Sequence, residues 1–342
     1  MQILTRMVIA DMEIDVIIPE YNAKDTVVKT LFSIASQTIA DKVIVTIVDD
    51  CSTDGSYEYL RTRCFDGIEV NVIQTPKNGG PGVARQYGVD HTSCPYIVFV
   101  DADDTLGDSL SLEALYSDLK DCEQACMVVG SFDEECPDEI RPHKNDMVWM
   151  HGKMYRRSFL EQYNIRFHPT SRANEDNGFN TIIKLIVALD PQWKIAVEDR
   201  CVYIWHNITN SMTRKNNYEY YFGASFPGFV ENMIYVSQFI SKLYGDEIIQ
   251  KPYYVNWCAT VMCFLYAYYS ECCRYARSYS QANLIASKSF YNLVYKKVDK
   301  YVDVEKFTKI YTNTMTASYK RFPTYIPTRT IFDFINDLKE TT

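Results

Sequence analysis

Short Val/Ile-rich runs alternate with helical patterns through the first 130 residues, and three of these runs end in acidic or polar clusters. Residues 14–19, 43–48, 70–74 and 96–100 are bounded by turn residues and read as buried parallel strands. The intervening segments 26–37, 56–63 and 81–90 carry helical spacing, with Asp54 standing where a helix N-cap is expected. This alternation predicts an α/β fold with a mostly parallel, open, Rossmann-like sheet flanked by helices. Ligands of such a sheet sit at the carboxyl ends of its strands. At those ends stand Glu20, Tyr21 and Asn22 after the first strand, Asp49 and Asp50 after the second, and Asp101, Ala102, Asp103 and Asp104 after the fourth.

Beyond this part the pattern changes. A helix over 177–189 and a strand over 200–205 are expected in a mixed region from about Val148 to Thr213. From Tyr218 onward helical periodicity dominates, without internal repeats. The expected division is therefore residues 1–215 and a mainly helical region 216–342.

Charge is distributed unevenly. The net charge of −9 combines a C-terminal stretch, 251–342, with thirteen basic and seven acidic residues, and a remainder with 22 basic and 37 acidic. An acidic front suits a site that holds a divalent cation, and a basic rear suits phosphate, an anionic membrane surface, nucleic acid or plain solvation. The 27 tyrosines, many beyond Tyr218, suit a helical core whose hydroxyls stay wet. Eleven scattered cysteines show no recurring CxxC pair at zinc-ligand spacing and fit a reducing compartment. Residues 1–12 lack the apolar core and cleavage site of a signal peptide. The uncharged run 252–270 approaches membrane-span length, but its tyrosines and Asn256 favour a buried helix. A cytoplasmic protein, at most peripheral to a membrane, is expected, with the C-terminal helices as the surface for any homo-oligomer.

Chemistry concentrates in two places. Carboxylates at alternate positions leaving a strand, Asp101 and Asp103, can converge on one hard cation, Mn²⁺ or Mg²⁺, which would offset the charge of a diphosphate leaving group. Two adjacent acids at the next strand end, Asp49 and Asp50, can accept hydrogen bonds from a base edge or a ribose hydroxyl.

Four segments then stand in a distinctive order: Asp15-Val-Ile-Ile-Pro19-Glu-Tyr21-Asn22, the run 49–56, Asn78-Gly-Gly-Pro-Gly-Val-Ala-Arg85 and Asp101-Ala-Asp103-Asp104. Together they resemble glycosyltransferase family 2 over roughly residues 12–215. The resemblance implies a GT-A fold, inversion of anomeric configuration, and a nucleotide-sugar donor site within 12–105 followed by an acceptor and catalytic part in 106–215. It implies that Tyr21 stacks on the nucleobase beside Pro19 and Asn22, and that Asp50, more than Asp49, meets the base edge. Asn78 and Arg85 would lie by the diphosphate, and Asp101, Ala102 and Asp104 against ribose or donor sugar. Asp103 would hold the metal, with Asp101 and His206 as further ligands. Asn174-Glu175-Asp176 resembles the family's acidic motif at a helix start, with Asp176 as general base. In the same reading Trp149, Lys153 and Glu175 bind the acceptor, and Arg214 reaches the phosphates.

Two departures from the family pattern are expected to matter. Glu20 adds negative charge beside the base pocket and could turn nucleotide preference away from uridine, and Cys51 replaces a common glycine. The acceptor expected first is a hydroxyl of a glycan or lipid-linked saccharide, with UDP-sugar as donor. Two alternatives stay open: a phage-type enzyme that glycosylates hydroxylated bases in DNA, with nucleic acid as acceptor, and a non-catalytic relative that only binds nucleotide-sugar.

Overall fold

The structure is a computed structural model that describes residues 12–208, 220–274, 280–321 and 330–339. The chain divides into two compact units, residues 1–216 and 217–342.

The first unit is built on β1 (Ile14–Glu20), α1 (Val27–Ala35), β2 (Val43–Asp49), α2 (Ser56–Arg61), β3 (Glu69–Gln74), α3 (Pro81–Asp90) and β4 (Tyr96–Phe99). β1 pairs in parallel with β2 and β4, and β2 with β3. The apolar runs of β1, β2 and β4 are covered on both faces: Ile14, Val16, Ile17, Ile18, Val45, Ile47, Ile97 and Phe99 are all buried. That double burial is why they read as continuous rather than alternating patterns. Register sets Glu20 opposite Asp49 and Asp49 opposite Gln74, so the strand ends form one edge. α3 lies close on this sheet through Gly88, where a Cβ would come within 2.5 Å of Ile17 Cγ2 and 3.1 Å of Val48 Cγ2.

The second half of the unit makes the sheet mixed. It adds β5 (Thr105–Leu106), α4 (Ser111–Lys120), β6 (Ala125–Glu135), β7 (Ile140–His143), β8 (Lys153–Arg156), α5 (Arg157–Tyr163), α6 (Glu175–Leu189) and β9 (Lys194–Trp205). Strand order is β3-β2-β1-β4-β8-β6-β9-β5, with β7 on β6. β8 enters antiparallel between β4 and β6, whereas β9 runs parallel to β6. β9 is longer than the expected 200–205, because its register jumps from Gly130 opposite Glu198 to Ser131 opposite Cys201. The bulge absorbs Asp199 and Arg200, the polar residues that make the sequence look like a turn there. At the opposite end of β1 from the acidic edge, Asp15 is buried and pairs with Arg157 at 2.8 Å, fastening α5 to the sheet.

The second unit is helical over Phe226–Tyr244, Pro252–Arg274, Gln281–Phe290, Val304–Arg321 and Ile331–Lys339. The Pro252–Arg274 helix contributes Cys258, Met262, Cys263, Leu265 and Tyr266 to the core, as its uncharged run suggests. Among the described residues no helix is long and apolar enough to cross a membrane. The expectation of wet tyrosine hydroxyls does not hold throughout: Tyr254 is buried and shares a 2.7 Å hydrogen bond with Ser237.

Candidate active site

Past the ends of β1 and β2 stand two loops that hold each other. Glu20 is buried; its carboxylate accepts from the Ala23 amide at 2.6 Å and the Ser52 hydroxyl at 3.0 Å. Burial raises its pKa, opposed by those hydrogen bonds. Glu20 thus latches the two loops together. Asn22 completes the latch, accepting from the Thr53 amide at 2.8 Å and donating its own amide to Ser52 Oγ. Tyr21, following Pro19, remains about half exposed (52%). Cys51 adopts φ +61°, the left-handed conformation that explains why glycine is common there.

Asp49 and Asp50 are both buried. Asp49 accepts from the Ser52 amide at 2.8 Å. Asp50 accepts from Thr75 Oγ1 at 2.8 Å and from the amides of Gly79 and Gly80 at 3.0 and 2.7 Å. These bonds let Asp50 shape the Gly79–Gly80 turn. Gly80, at φ +89°, needs to be glycine for that turn. Asn78 closes the loop, donating to Asp50 O and accepting from Arg172 at 2.7 Å.

At the end of β4 the acids meet a buried cation. Arg85, on α3, pairs through Nη2 with Asp101 Oδ1 and through Nη1 with Glu175 Oε1, each at 2.7 Å. Its pKa rises because Asp101 and Glu175 outweigh the cost of burial. Asp101 is held below its ordinary value: burial favours the neutral acid, but the paired Arg85 guanidinium outweighs it. Arg85 thus ties Asp101, past the end of β4, to Glu175 at the start of α6.

Asp104 is buried beside Ala102 and accepts from Tyr203 Oη at 2.7 Å and the His206 amide at 2.9 Å. Burial and the neighbouring Asp101 and Asp103 drive its pKa well above the usual carboxylate range, a cost that a cation would relieve. His151 stands within 4.0 Å of Asp104 Oδ2, and its Nδ1 is buried without a hydrogen-bond partner. Asp101, Asp104 and His151 each bring one ligand atom within 4.8 Å of the others. Burial depresses the His151 pKa to about 4, so the imidazole is neutral, the form that binds metal. This donor set fits a divalent cation. His206 does not join it: Nδ1 faces Glu135 at 3.0 Å, and Nε2 faces Thr105 at 2.9 Å and Lys29 at 3.1 Å. Arg214 lies outside the described residues.

Asp176 opens α6 one position after Glu175, with Asn174 before it at φ +59°. Burial and the adjacent Glu175 raise its pKa to about 8, with Arg85 opposing. Lys153 is fully buried, donates to His151 O at 3.2 Å, and is pulled down to about 8 by burial, against the attraction of Asp146 and Asp176. It supports the site from beneath and does not reach outward. Trp149 packs on Trp205, with ring centroids 5.1 Å apart. Sequence reasoning passed over His151 and Tyr203. His151 sits two positions from Lys153 in a segment already singled out, and an isolated histidine there carries no spacing signal.

Comparison with known proteins finds similar sequences and a shared fold. Residues 15–173 match the family model described as Glycosyl transferase family 2. A poly(ribitol-phosphate) beta-glucosyltransferase of Bacillus spizizenii is 30% identical over 49% of this chain and 29% of its own length. The succinoglycan biosynthesis protein ExoU of Rhizobium meliloti is 29% identical over 49% of this chain and 55% of its own. The aligned parts thus cover well under two thirds of either relative. Among solved structures, S. aureus TarS 1–349 in complex with UDP-GlcNAc superposes with TM-score 0.59 at 18% identity, covering 91% of this chain and 92% of that one. The mannosyltransferase PcManGT from Pyrobaculum calidifontis, in complex with GDP-Man and Mn²⁺, gives TM-score 0.51 at 15% identity, over 96% and 86%. The fold is the GT-A fold, a mixed α/β open sheet with flanking helices.

Proposed function

We propose that this protein is a family 2 glycosyltransferase that moves a sugar, with inversion, from a nucleotide-sugar to a hydroxyl of a glycan or lipid-linked saccharide. The observation that carries the proposal is that Arg85 ties Asp101, at the carboxyl end of β4, to Glu175 beside Asp176, next to a cation-ready set of Asp101, Asp104 and His151. UDP is the favoured nucleotide, supported by the UDP-GlcNAc complex of a structural neighbour.

Each element of the edge has a task. The exposed Tyr21 ring offers a stacking face for the base. The Asp50-held Gly79–Gly80 turn seats the N-terminus of α3, whose first-turn amides and positive dipole end would face the diphosphate. Asp101, Asp103, Asp104 and His151 would hold Mn²⁺ or Mg²⁺, and the bound ion supplies charge stabilisation for the departing diphosphate. Asp176 accepts the proton of the acceptor hydroxyl; its raised pKa makes it a strong enough base for this once it is ionised. Incubation with UDP-GlcNAc or UDP-glucose, Mn²⁺ and poly(ribitol phosphate) or an oligosaccharide panel, with release of UDP followed, tests the reading. Release that depends on acceptor supports it. No release with any donor and acceptor contradicts it.

A further inference from the structure

Arg85 and Glu175 are buried ionic groups that the proposed chemistry leaves without direct work. Their side chains are only 5% and 8% exposed, and each is engaged at 2.7 Å. Arg85 reaches two elements at once: Asp101 past the end of β4, and Glu175 at the start of α6. The approach depends on Gly82 in the first turn of α3, where a Cβ would fall 2.7 Å from Glu175 Cγ. Only glycine leaves room for Glu175 to come up against α3. Arg85 thus joins two acids, Gly82 makes room for one of them, and the residue next to Glu175 is Asp176.

We propose that Arg85 and Glu175 are a positioning pair, which seats the first turn of α6 against the donor strands and fixes both the place and the charge of Asp176. The inference rests on Asp176 being the base. The guanidinium fork suits the task because it can make two directed ion pairs from one planar group, which an ammonium cannot. The charged groups that face Asp176 are Glu175 on its own helix, Arg85 from α3, Asp101 from the end of β4 and Lys153 from β8. Removing Glu175 leaves Arg85 paired with Asp101 alone, and removing Arg85 leaves Glu175 without its cation, so each change acts on Asp176 in a predictable direction.

The experiment is carbon-detected NMR titration of the full chain labelled at aspartate carboxyls, with Asp176→Asn to assign the signal. Glu175→Gln removes a like charge and frees Arg85, so the Asp176 midpoint falls by roughly one pH unit; Arg85→Gln raises it by a similar amount. With UDP-GlcNAc turnover as the second readout, Glu175→Gln lowers kcat about tenfold or more with the donor KM unchanged. An unmoved midpoint in Glu175→Gln overturns the proposal, and so does a loss carried by donor KM, which would make the pair a direct donor contact. If Arg85→Gln does not fold, Glu175→Gln alone decides. Wild-type protein that neither binds UDP nor turns over donor contradicts the glycosyltransferase reading, while the titration still tests the pair.

Discussion

Asp176 carries the account at the scale of single residues. A carboxyl raised to about 8 holds its proton more tightly in the folded chain than in the unfolded one. Its contribution to stability is therefore fully present below the ordinary aspartate value and is lost as pH rises through about 8. Asparagine suffers no such loss, so Asp176→Asn is expected to melt higher than wild type at pH 9, by ~2 °C or more, in a calorimetric comparison. The same substitution should keep donor binding and lower transfer ~10²–10⁴-fold; transfer at the wild-type rate would place the base elsewhere. Catalysis needs the ionised form, so kcat/KM is expected to climb with pH along a limb centred near 8. A profile flat from pH 6 to 9 would show that Asp176 does not limit the reaction.

At the scale of elements, helix α3 is held to the sheet by the absence of a side chain. A methyl at Gly88 would stand 2.5 Å from Ile17 Cγ2. Gly88→Ala is expected to destabilise the protein by ~1–3 kcal/mol through overpacking, read as a lower denaturant midpoint; an unchanged midpoint would mean α3 can lift freely. The elements around α3 were legible in the sequence because strands buried on both faces leave unbroken apolar runs. Those beyond Lys120 were less so. β8 is four residues long and inserted antiparallel, and the bulge in β9 hides the strand behind Glu198, Asp199 and Arg200. The site was legible to the same degree. Acids at strand ends announced it, but partners that lie 90 residues apart, such as Arg85 and Glu175, leave no spacing to read. The sequence thus located Asp49, Asp50 and Glu20 but could not show that backbone amides and loop hydroxyls already occupy their carboxylates.

On the scale of the whole molecule, the two units divide their resources differently. The first gathers acids at one sheet edge, where burial and mutual repulsion raise Asp104 and Asp176. The second is a helical, aromatic-rich unit with buried Tyr254, Tyr266, Phe290 and Phe334. The electrostatic cost at the sheet edge is one that a bound cation can relieve, and the cation in turn would attract a nucleotide diphosphate. A ligand that binds only the folded chain raises its stability by ~2.7 kcal/mol at one hundred times its dissociation constant. The most direct test is the melting temperature of the purified chain with UDP, UDP-GlcNAc and other nucleotide diphosphates, each with and without Mn²⁺. The account predicts a clear upward shift with UDP species that requires the metal. No shift with any nucleotide, in either condition, would contradict it.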